Sequence, residues 1–226
     1  MDNNIIKTAY IQFCGRVVAT PDGDKHIAAA ALYSDRELTN IKGLEVCEMT
    51  NFEENKKDKF DVYRNRLGEY ATALKLVYKY QNALLTQGYD CVALCPSNGK
   101  LWTWLHGGRV PAQVKDLFEN INKQFRTDGE FQLDICVGLS ATVCDKKAYK
   151  FCKPEYVGAE LCRVKRGVHI MTTDEVAAAR ASMEAKRKAE EDKHLDNEGV
   201  SIYDILQPAQ GNELEPIVVF EKQSED

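Results

Sequence analysis

The chain has 226 residues, 44% of them hydrophobic and 29% charged, which is the composition of an ordinary soluble globular protein. Its length predicts one domain with an appendage, and no apolar run approaches the roughly 18 residues that a membrane-spanning helix requires. The net charge of −5 is unevenly spread along the chain. Thr173–Asp226 hold 14 acidic and 6 basic residues, whereas Lys146–Arg166 hold 7 basic and 2 acidic residues. Neither region has the strong charge of a dedicated nucleic-acid binder.

Three strands joined by short links are predicted in the first fifty residues. Thr8–Ala19 is rich in β-branched and aromatic residues and ends at a Pro-Asp-Gly turn signal. His26–Ser34 contains four successive alanines that would also suit a helix, but the short turns on both sides favour a strand. Gly43–Thr50 alternates imperfectly between apolar and polar residues. Strands connected this closely predict an antiparallel meander.

The clearest element of the sequence is a helix over Arg64–Gln87, where apolar residues recur at near-helical spacing. Gly88 follows it as a C-terminal cap. The next segment, Asp90–Cys95, is a short apolar run of the kind found in strands that are buried on both faces. Leu101–His106 is aromatic and is predicted to form a short turn of helix or an edge segment.

A second helix is predicted over Val110–Phe125, with Pro111 in its first turn, and a fifth strand over Phe131–Leu139. A helix that joins two strands of one sheet predicts a right-handed βαβ unit. The pattern weakens after this strand. Pro154–Cys162 is predicted as one further helix, and Thr173–Asp196 as a charged, alanine-rich helix that Thr173 caps.

Eight cysteines occur, and no two of them have CxxC spacing. Cys14, Cys47, Cys91, Cys95 and Cys136 fall in predicted strands, where we expect buried thiols. The remaining three, Cys144, Cys152 and Cys162, fit no common zinc pattern. Reduced core thiols are therefore favoured over a metal site or disulfides, no cofactor is expected, and the amino-terminal sequence lacks a secretory signal. A cytoplasmic or intracellular location follows from this interpretation.

The element order βββαβαβ, with a long helix directly after the third strand, resembles the ribonuclease H-like superfamily over Thr8–Cys162. The best local similarity is the helical sequence GEYATALKL, in which Glu69 stands where the family has a glutamate before an alanine- and leucine-rich run. The resemblance implies an α/β fold with a mixed five-stranded sheet and flanking helices. It divides the chain into a domain over residues 1–167 and a charged helix with an acidic tail over residues 168–226.

Members of that superfamily cut nucleic acids with two divalent metal ions, which carboxylates hold about 3.5–4 Å apart. The resemblance places such acids in the middle of the first strand, in the first helix, at the end of the fourth strand and in the last helix. Here the first strand has Gln12, the fourth strand ends near Ser97, and Gly158 or Ala159 stands where the last helix should carry an acid.

Only Glu69 therefore remains of the family's carboxylates, with Glu155 or Glu160 as further candidates and Asp134 of the fifth strand as a rival ligand. One carboxylate does not hold two magnesium ions, because neutral ligands bind this hard cation far more weakly. No metal and no catalytic residues are expected, and nuclease activity is disfavoured.

Other chemistries find little support in the sequence. It has no phosphate-binding glycine loop and no HExxH metal motif. The four histidines are scattered and are predicted to be surface or turn residues: His26, His106, His169 and His194. Cys95 is the best isolated nucleophile candidate, but no general base is recognisable for it.

The first functional hypothesis is a non-enzymatic scaffold subunit of a larger assembly, such as a phage or viral particle, that binds protein subunits (its own copies or others) through the C-terminal helix and tail. Apolar clusters in the tail commonly anchor it on a partner, and a disordered tail is the alternative. The predicted partner-binding residues are Ile202, Tyr203, Ile205, Leu206, Ile217, Val218, Val219 and Phe220.

Two further hypotheses are a metal-dependent nuclease with an atypical site around Glu69 and a nucleic-acid-binding module. No membrane partner is expected. The module would use basic residues and two tryptophans that stack on bases, although packing in a core or an interface is favoured for the tryptophans. These residues are Lys146, Lys147, Lys150, Lys153, Arg163, Lys165, Arg166, Trp102 and Trp104.

Overall fold

The first three strands form the antiparallel meander that the sequence predicts. The structure is a computed structural model and describes residues 6–49, 59–127, 133–138, 147–164 and 167–197. Strands β1 (Thr8–Thr20), β2 (Gly23–Tyr33) and β3 (Ile41–Glu48) pair in sequence order. Gly23, with φ of +115°, makes the tight turn between β1 and β2 that a residue with a side chain adopts only under strain.

Helices and two parallel strands complete the main sheet. Helix α1 (Lys59–Thr86) leads into β4 (Cys91–Pro96), which runs parallel to β1. Two helices follow, α2 (Gly99–Leu105) and α3 (Ala112–Thr127), and then β5 (Asp134–Val137), which runs parallel to β4. The strand order is therefore β3-β2-β1-β4-β5. The predicted mixed five-stranded sheet with flanking helices is confirmed.

The two faces of this sheet carry different cores. Side chains of a strand alternate between faces, so Ile11 and Phe13 of β1 pack under α1, whereas Cys14 joins the opposite core. Four successive alanines of β2, residues 28–31, are fully buried and contribute to both faces. Small side chains at this position let α1 lie close to the sheet on one side.

The segment after the fifth strand differs from its predicted form. The helix predicted over Pro154–Cys162 is wrong: the chain makes two short 3-10 helices, Lys147–Phe151 and Pro154–Tyr156, and then strand β6 (Glu160–Val164). Gly158 has φ of +77° and its N–H donates to the carbonyl of Val46, so the helix ends there.

Strand β7 (Gly167–Met171), which the sequence did not predict, pairs antiparallel with β6 in a separate two-stranded sheet. The two 3-10 helices and the residues just before β6 cover part of the sheet face opposite α1. Their buried residues Ala148, Phe151, Cys152 and Ala159 belong to the core on that face.

The charged helix is present as α4, Thr173–Asn197. Its cap is Thr172 and not the predicted Thr173. The N–H of Thr172 donates to Glu175 Oε2 at 2.7 Å, and the N–H of Glu175 donates back to Thr172 Oγ1 at 3.4 Å. This reciprocal pair is a capping box. No helix in the described ranges is long and apolar enough to cross a membrane.

The chain divides into two compact units, Met1–Ala178 and Ala179–Asp226. Residues 180–190 of α4 are all exposed. The predicted boundary after residue 167 stays a prediction.

The alanine row of β2 gives a test of the packing. Ala30 pairs with Phe13 and is fully buried, so Ala30→Val should lower the free energy of unfolding by about 1–3 kcal/mol through overpacking. The matched control is Ala19→Val, because Ala19 lies on the same strand ladder and is exposed, and it should change stability by less than about 0.5 kcal/mol. Urea denaturation measures both, and an Ala30→Val variant as stable as the wild type contradicts this packing.

Candidate functional site

Glu69, the acid that the family resemblance singles out, is buried between α1 and the sheet. Its exposed fraction is 1%. Arg66, one turn earlier on α1, donates from Nη1 to Glu69 Oε1 at 2.6 Å, and His26 Nε2 of β2 is 3.9 Å from the same oxygen. The second oxygen, Oε2, accepts no hydrogen bond from the described part of the chain. The carboxylate thus has a cation beside it and almost no contact with solvent.

Gly15 of β1 makes the space for this cluster. A Cβ atom at Gly15 would lie 2.5 Å from His26 Nε2 and 2.9 Å from Glu69 Oε1, closer than real side-chain contacts allow. The sequence interpretation missed Gly15, Arg66 and His26. A signal for Arg66 was present, because its position three residues before Glu69 places the two side chains on one helix face.

The prediction that His26 is a surface or turn residue is wrong, because its exposed fraction is 4%. His26 belongs to β2, where it pairs with Val17, and its side chain points to the α1 face. The turn at residues 21–22 ends four residues earlier, so His26 already lies within the ladder. The run of apolar residues after His26 is buried on both faces of β2, so the sequence alone does not predict the face of His26.

Burial changes the protonation of the cluster. It raises the pKa of Glu69 to about 7, although the charge and hydrogen bond of Arg66 act in the opposite direction. Burial, together with the nearby Arg66 charge, lowers the pKa of His26 to about 4. His26 is consequently neutral at neutral pH, and Glu69 exchanges its proton near pH 7. Enclosure of the carboxyl group keeps this proton away from any bound molecule.

Gln12 lies on the other side of the sheet from Glu69. It alternates with the α1-facing residues of β1, it is fully buried, and its Oε1 accepts a hydrogen bond from the N–H of Ala148. Its Nε2 has no partner among the described residues. The sheet therefore separates the position where the family resemblance places the first acid from the one acid that remains.

The other predicted acid positions each have surroundings of their own. Ser97 is half-buried at the end of β4 and donates its N–H to the carbonyl of Phe13. Ala159 is buried in the core opposite α1. Glu155 is half-exposed, and its carboxylate lies 3.3 Å from Lys153 Nζ. Asp134, the rival ligand, is an exposed residue on the surface of β5.

These donors do not fit a pair of magnesium ions. The chemistry needs several carboxylates around one point, whereas the described ranges contain no group of three or more His, Cys, Asp or Glu side chains that could hold an ion. Glu69 offers a single oxygen beyond the one that Arg66 contacts. Within the described ranges, therefore, the carboxylates do not gather around Glu69 as two magnesium ions would require.

A cavity of about 690 Å³ lies beside the edge strand β5, between α1, α2 and α3. Tyr70, Trp104 and Phe118 line it, and the Tyr70 hydroxyl donates to Asn122 Oδ1 at 2.7 Å. Trp104 is buried and meets the ring of Tyr63 edge-on at 5.6 Å. Core packing, the role that the sequence favoured for the tryptophans, holds for Trp104.

Trp102 is held by a hydrogen bond and a ring contact. Its Nε1 donates to the carbonyl of Gly138 at 3.1 Å, and its ring lies 3.7 Å from that of His106. Cys95, the nucleophile candidate, is fully buried at the end of β4 and contacts the carbonyl of Ala93 through its sulfur. Its burial removes it from substrates in solvent.

Basic residues gather around the first 3-10 helix. Lys147 donates to the carbonyl of Glu37, Lys150 lies over the ring of Phe151 and Lys153 pairs with Glu155. Arg16, which the sequence interpretation missed, lies 5.0 Å from the centre of the exposed Tyr149 ring.

Several predicted residues lie outside the described ranges. They are Lys146, Lys165 and Arg166 of the basic stretch and all eight tail residues, from Ile202 to Phe220. The side chain of Arg163 is likewise outside what the structure describes.

No protein-family model matches the chain, and no curated protein matches it. Solved structures with similarity include ribonuclease H1 of the halophilic archaeon Halobacterium salinarum, at 10% identity and a TM-score of 0.38 over 62% of this chain and 90% of that one. Another is the N-terminal ribonuclease H domain of a Mycobacterium tuberculosis protein, at 7% identity and a TM-score of 0.37 over 64% and 93%.

A third is LC11 ribonuclease H1 in complex with an RNA/DNA hybrid, at 11% identity and a TM-score of 0.37 over 63% and 89%. The strand order β3-β2-β1-β4-β5, with three antiparallel strands followed by two parallel ones, is the order that the family resemblance of the sequence implies.

The buried carboxyl group predicts a specific pH dependence. A folded-state pKa near 7, above the ordinary 4.5, means that the contribution of Glu69 to stability is full below pH 4.5 and is lost as the pH rises through 7. Glu69→Gln removes this titration. Its unfolding free energy relative to the wild type should therefore rise by about 3 kcal/mol between pH 4 and pH 8.

Urea denaturation of the two proteins across this range measures the difference. The titration of His26 is common to both proteins and largely cancels. If the difference in unfolding free energy between Glu69→Gln and the wild type stays constant with pH, the raised pKa of Glu69 is contradicted.

Proposed function

We propose that this chain is a non-catalytic ribonuclease H-like domain that serves as a scaffold subunit and binds partner proteins through its C-terminal helix. The observation that carries the proposal is the enclosure of Glu69 by α1, Gly15 and Arg66. On this proposal the remaining acid of the expected site is a buried residue at the contact between helix and sheet and is not a metal ligand. No observation favours a viral particle over another assembly.

The exposed helix α4 supports the partner-binding half of the proposal. Its first turn contains a buried residue, Val176, but residues 180–190 are all exposed, and Met183 has 72% of its surface in solvent. An isolated helix with so thin an apolar stripe is marginal in water. A second protein surface against Met183 and its neighbouring alanines would supply the missing burial.

A second candidate function is nucleic-acid binding at the first 3-10 helix. The exposed Tyr149, with Arg16 over its ring and Lys150 and Lys153 nearby, is an arrangement that can stack on a base and contact phosphates. Binding of this kind would weaken steeply as salt is added.

A cleavage assay tests the loss of catalysis. Wild type and Glu69→Gln are incubated with an RNA/DNA hybrid and Mg²⁺ or Mn²⁺, next to an active ribonuclease H. We expect no metal-dependent cleavage by either protein, because the described part of the chain does not bring together the carboxylates that two metal ions need. Cleavage by the wild type that disappears in a folded Glu69→Gln variant overturns the proposal and restores the nuclease hypothesis.

A matched pair of substitutions tests the role of α4. If copies of this chain are the partner, Met183→Lys should weaken self-association by about tenfold to a hundredfold, since burial of a methionine contributes about 1.5–3 kcal/mol. Ser182→Lys adds the same charge at the neighbouring position and should have a smaller effect. Sedimentation velocity over a concentration series measures both.

A shortened chain that ends at Ala178, the limit of the first compact unit, should stay monomeric. Equal assembly of the shortened and the full-length chain would show that α4 is not the contact surface.

A further inference from the structure

Two thiols lie together at the junction between the central sheet and its edge strand. Cys91 Sγ of β4 and Cys136 Sγ of β5 are 3.2 Å apart. In the parallel register Cys91 pairs with Asp134 and Cys136 with Ala93, so the two cysteines are diagonal neighbours on one face. The sequence interpretation placed both thiols in strands but expected both to be buried, and for Cys136 that expectation is wrong.

The two thiols differ in their access to solvent. Cys136 is exposed on the edge strand, whereas only 8% of Cys91 is accessible. Burial, together with the hydrogen bond to Cys136, raises the pKa of Cys91 to about 12, so the inner thiol is protonated at neutral pH. A reagent in solution therefore meets Cys136 first.

We propose that Cys136 and Cys91 form a reversible thiol-oxidation site that reacts with small disulfides such as glutathione disulfide. Cys136 is the entry thiol and Cys91 the resolving thiol. This pair lies on the edge strand and is separate from the Glu69 cluster, so the inference does not depend on the function proposed above.

The chemistry balances in two exchange steps. The thiolate of Cys136 attacks one sulfur of glutathione disulfide, which forms a mixed disulfide on Cys136 and releases one glutathione thiolate. Cys91 then loses its proton and attacks the sulfur of Cys136, which forms the Cys91–Cys136 disulfide and releases the second glutathione thiolate. The protein loses two electrons, glutathione disulfide gains two, and the thiolates take up protons from solvent. Excess reduced glutathione reverses both steps.

A second thiol pair in the same fold provides an internal comparison. Cys14 Sγ of β1 and Cys152 Sγ are 3.6 Å apart, but only 1% and 0% of these residues are exposed. Proximity alone would make both pairs reactive. A disulfide in solution can react only with a thiol that it can reach. Since Cys136 is exposed and both Cys14 and Cys152 are buried, we expect only the Cys91–Cys136 pair to react.

The bond would fasten the edge strand to the sheet. Strand β5 has four residues, all of them line the cavity, and within the described ranges it pairs only with β4. A disulfide across β4 and β5 would hold this wall of the cavity in place. Oxidation is therefore expected to slow amide hydrogen exchange in β5, and reduction to reverse the change.

Glutathione disulfide is the probe in the test, with mass spectrometry of non-reduced peptides as the readout. The full-length wild type should form the Cys91–Cys136 disulfide. Cys91→Ser should accumulate the glutathione adduct on Cys136, and Cys136→Ser should leave Cys91 unmodified. The Cys14–Cys152 pair should stay reduced in all three folded proteins, and circular dichroism confirms that each variant is folded.

Three results would overturn the proposal. One is an unmodified Cys136 in the wild type. Another is a glutathione adduct on Cys136 that persists equally in the wild type and in Cys91→Ser. The third is oxidation of the buried Cys14–Cys152 pair at the same rate.

Discussion

The contact between α1 and the central strands is built around the carboxyl group of Glu69, which is buried in surroundings that disfavour its charged form. Glu69 faces β1 and β2 with 1% of its surface exposed. An unpaired carboxylate in such a place is strongly destabilising, so the fold supplies Arg66 at 2.6 Å and removes the side chain at Gly15 to make room. The position where the family resemblance places a metal-binding acid is here a buried carboxyl group that pairs with an arginine of its own helix.

This arrangement separates fold from chemistry. The strand order places β1 beside β4. However, β1 presents Gln12 to the face opposite α1, against Ala148, and β4 ends in neutral residues. A fold provides positions, and the side chains at those positions decide the reaction. The features that remain available for contacts with other molecules lie elsewhere: the exposed α4, the basic 3-10 segment with Tyr149, and the edge strand with its exposed thiol.

The sequence predicted elements whose pattern is local. The strands of the meander, α1 and β4 follow from alternation, helical spacing and turn residues, and the strand order follows from the resemblance. The same local patterns could not predict Pro154–Val164, where Gly158 at positive φ and a hydrogen bond to Val46 replace the expected helix. Nor could they give the partners of Glu69, since Gly15 and His26 reach it only through the register of β1 and β2.

The protonation of Glu69 is the most direct test of this account. Carbon-13 NMR of the Glu69 side-chain carboxyl group, titrated with and without millimolar Mg²⁺, reports both its pKa and any bound metal. We expect a midpoint near 7 that Mg²⁺ leaves unchanged, because the carboxyl group is enclosed and already paired with Arg66. A midpoint near the ordinary 4.5, or one that Mg²⁺ shifts strongly downward, would contradict this account and identify Glu69 as an open metal ligand.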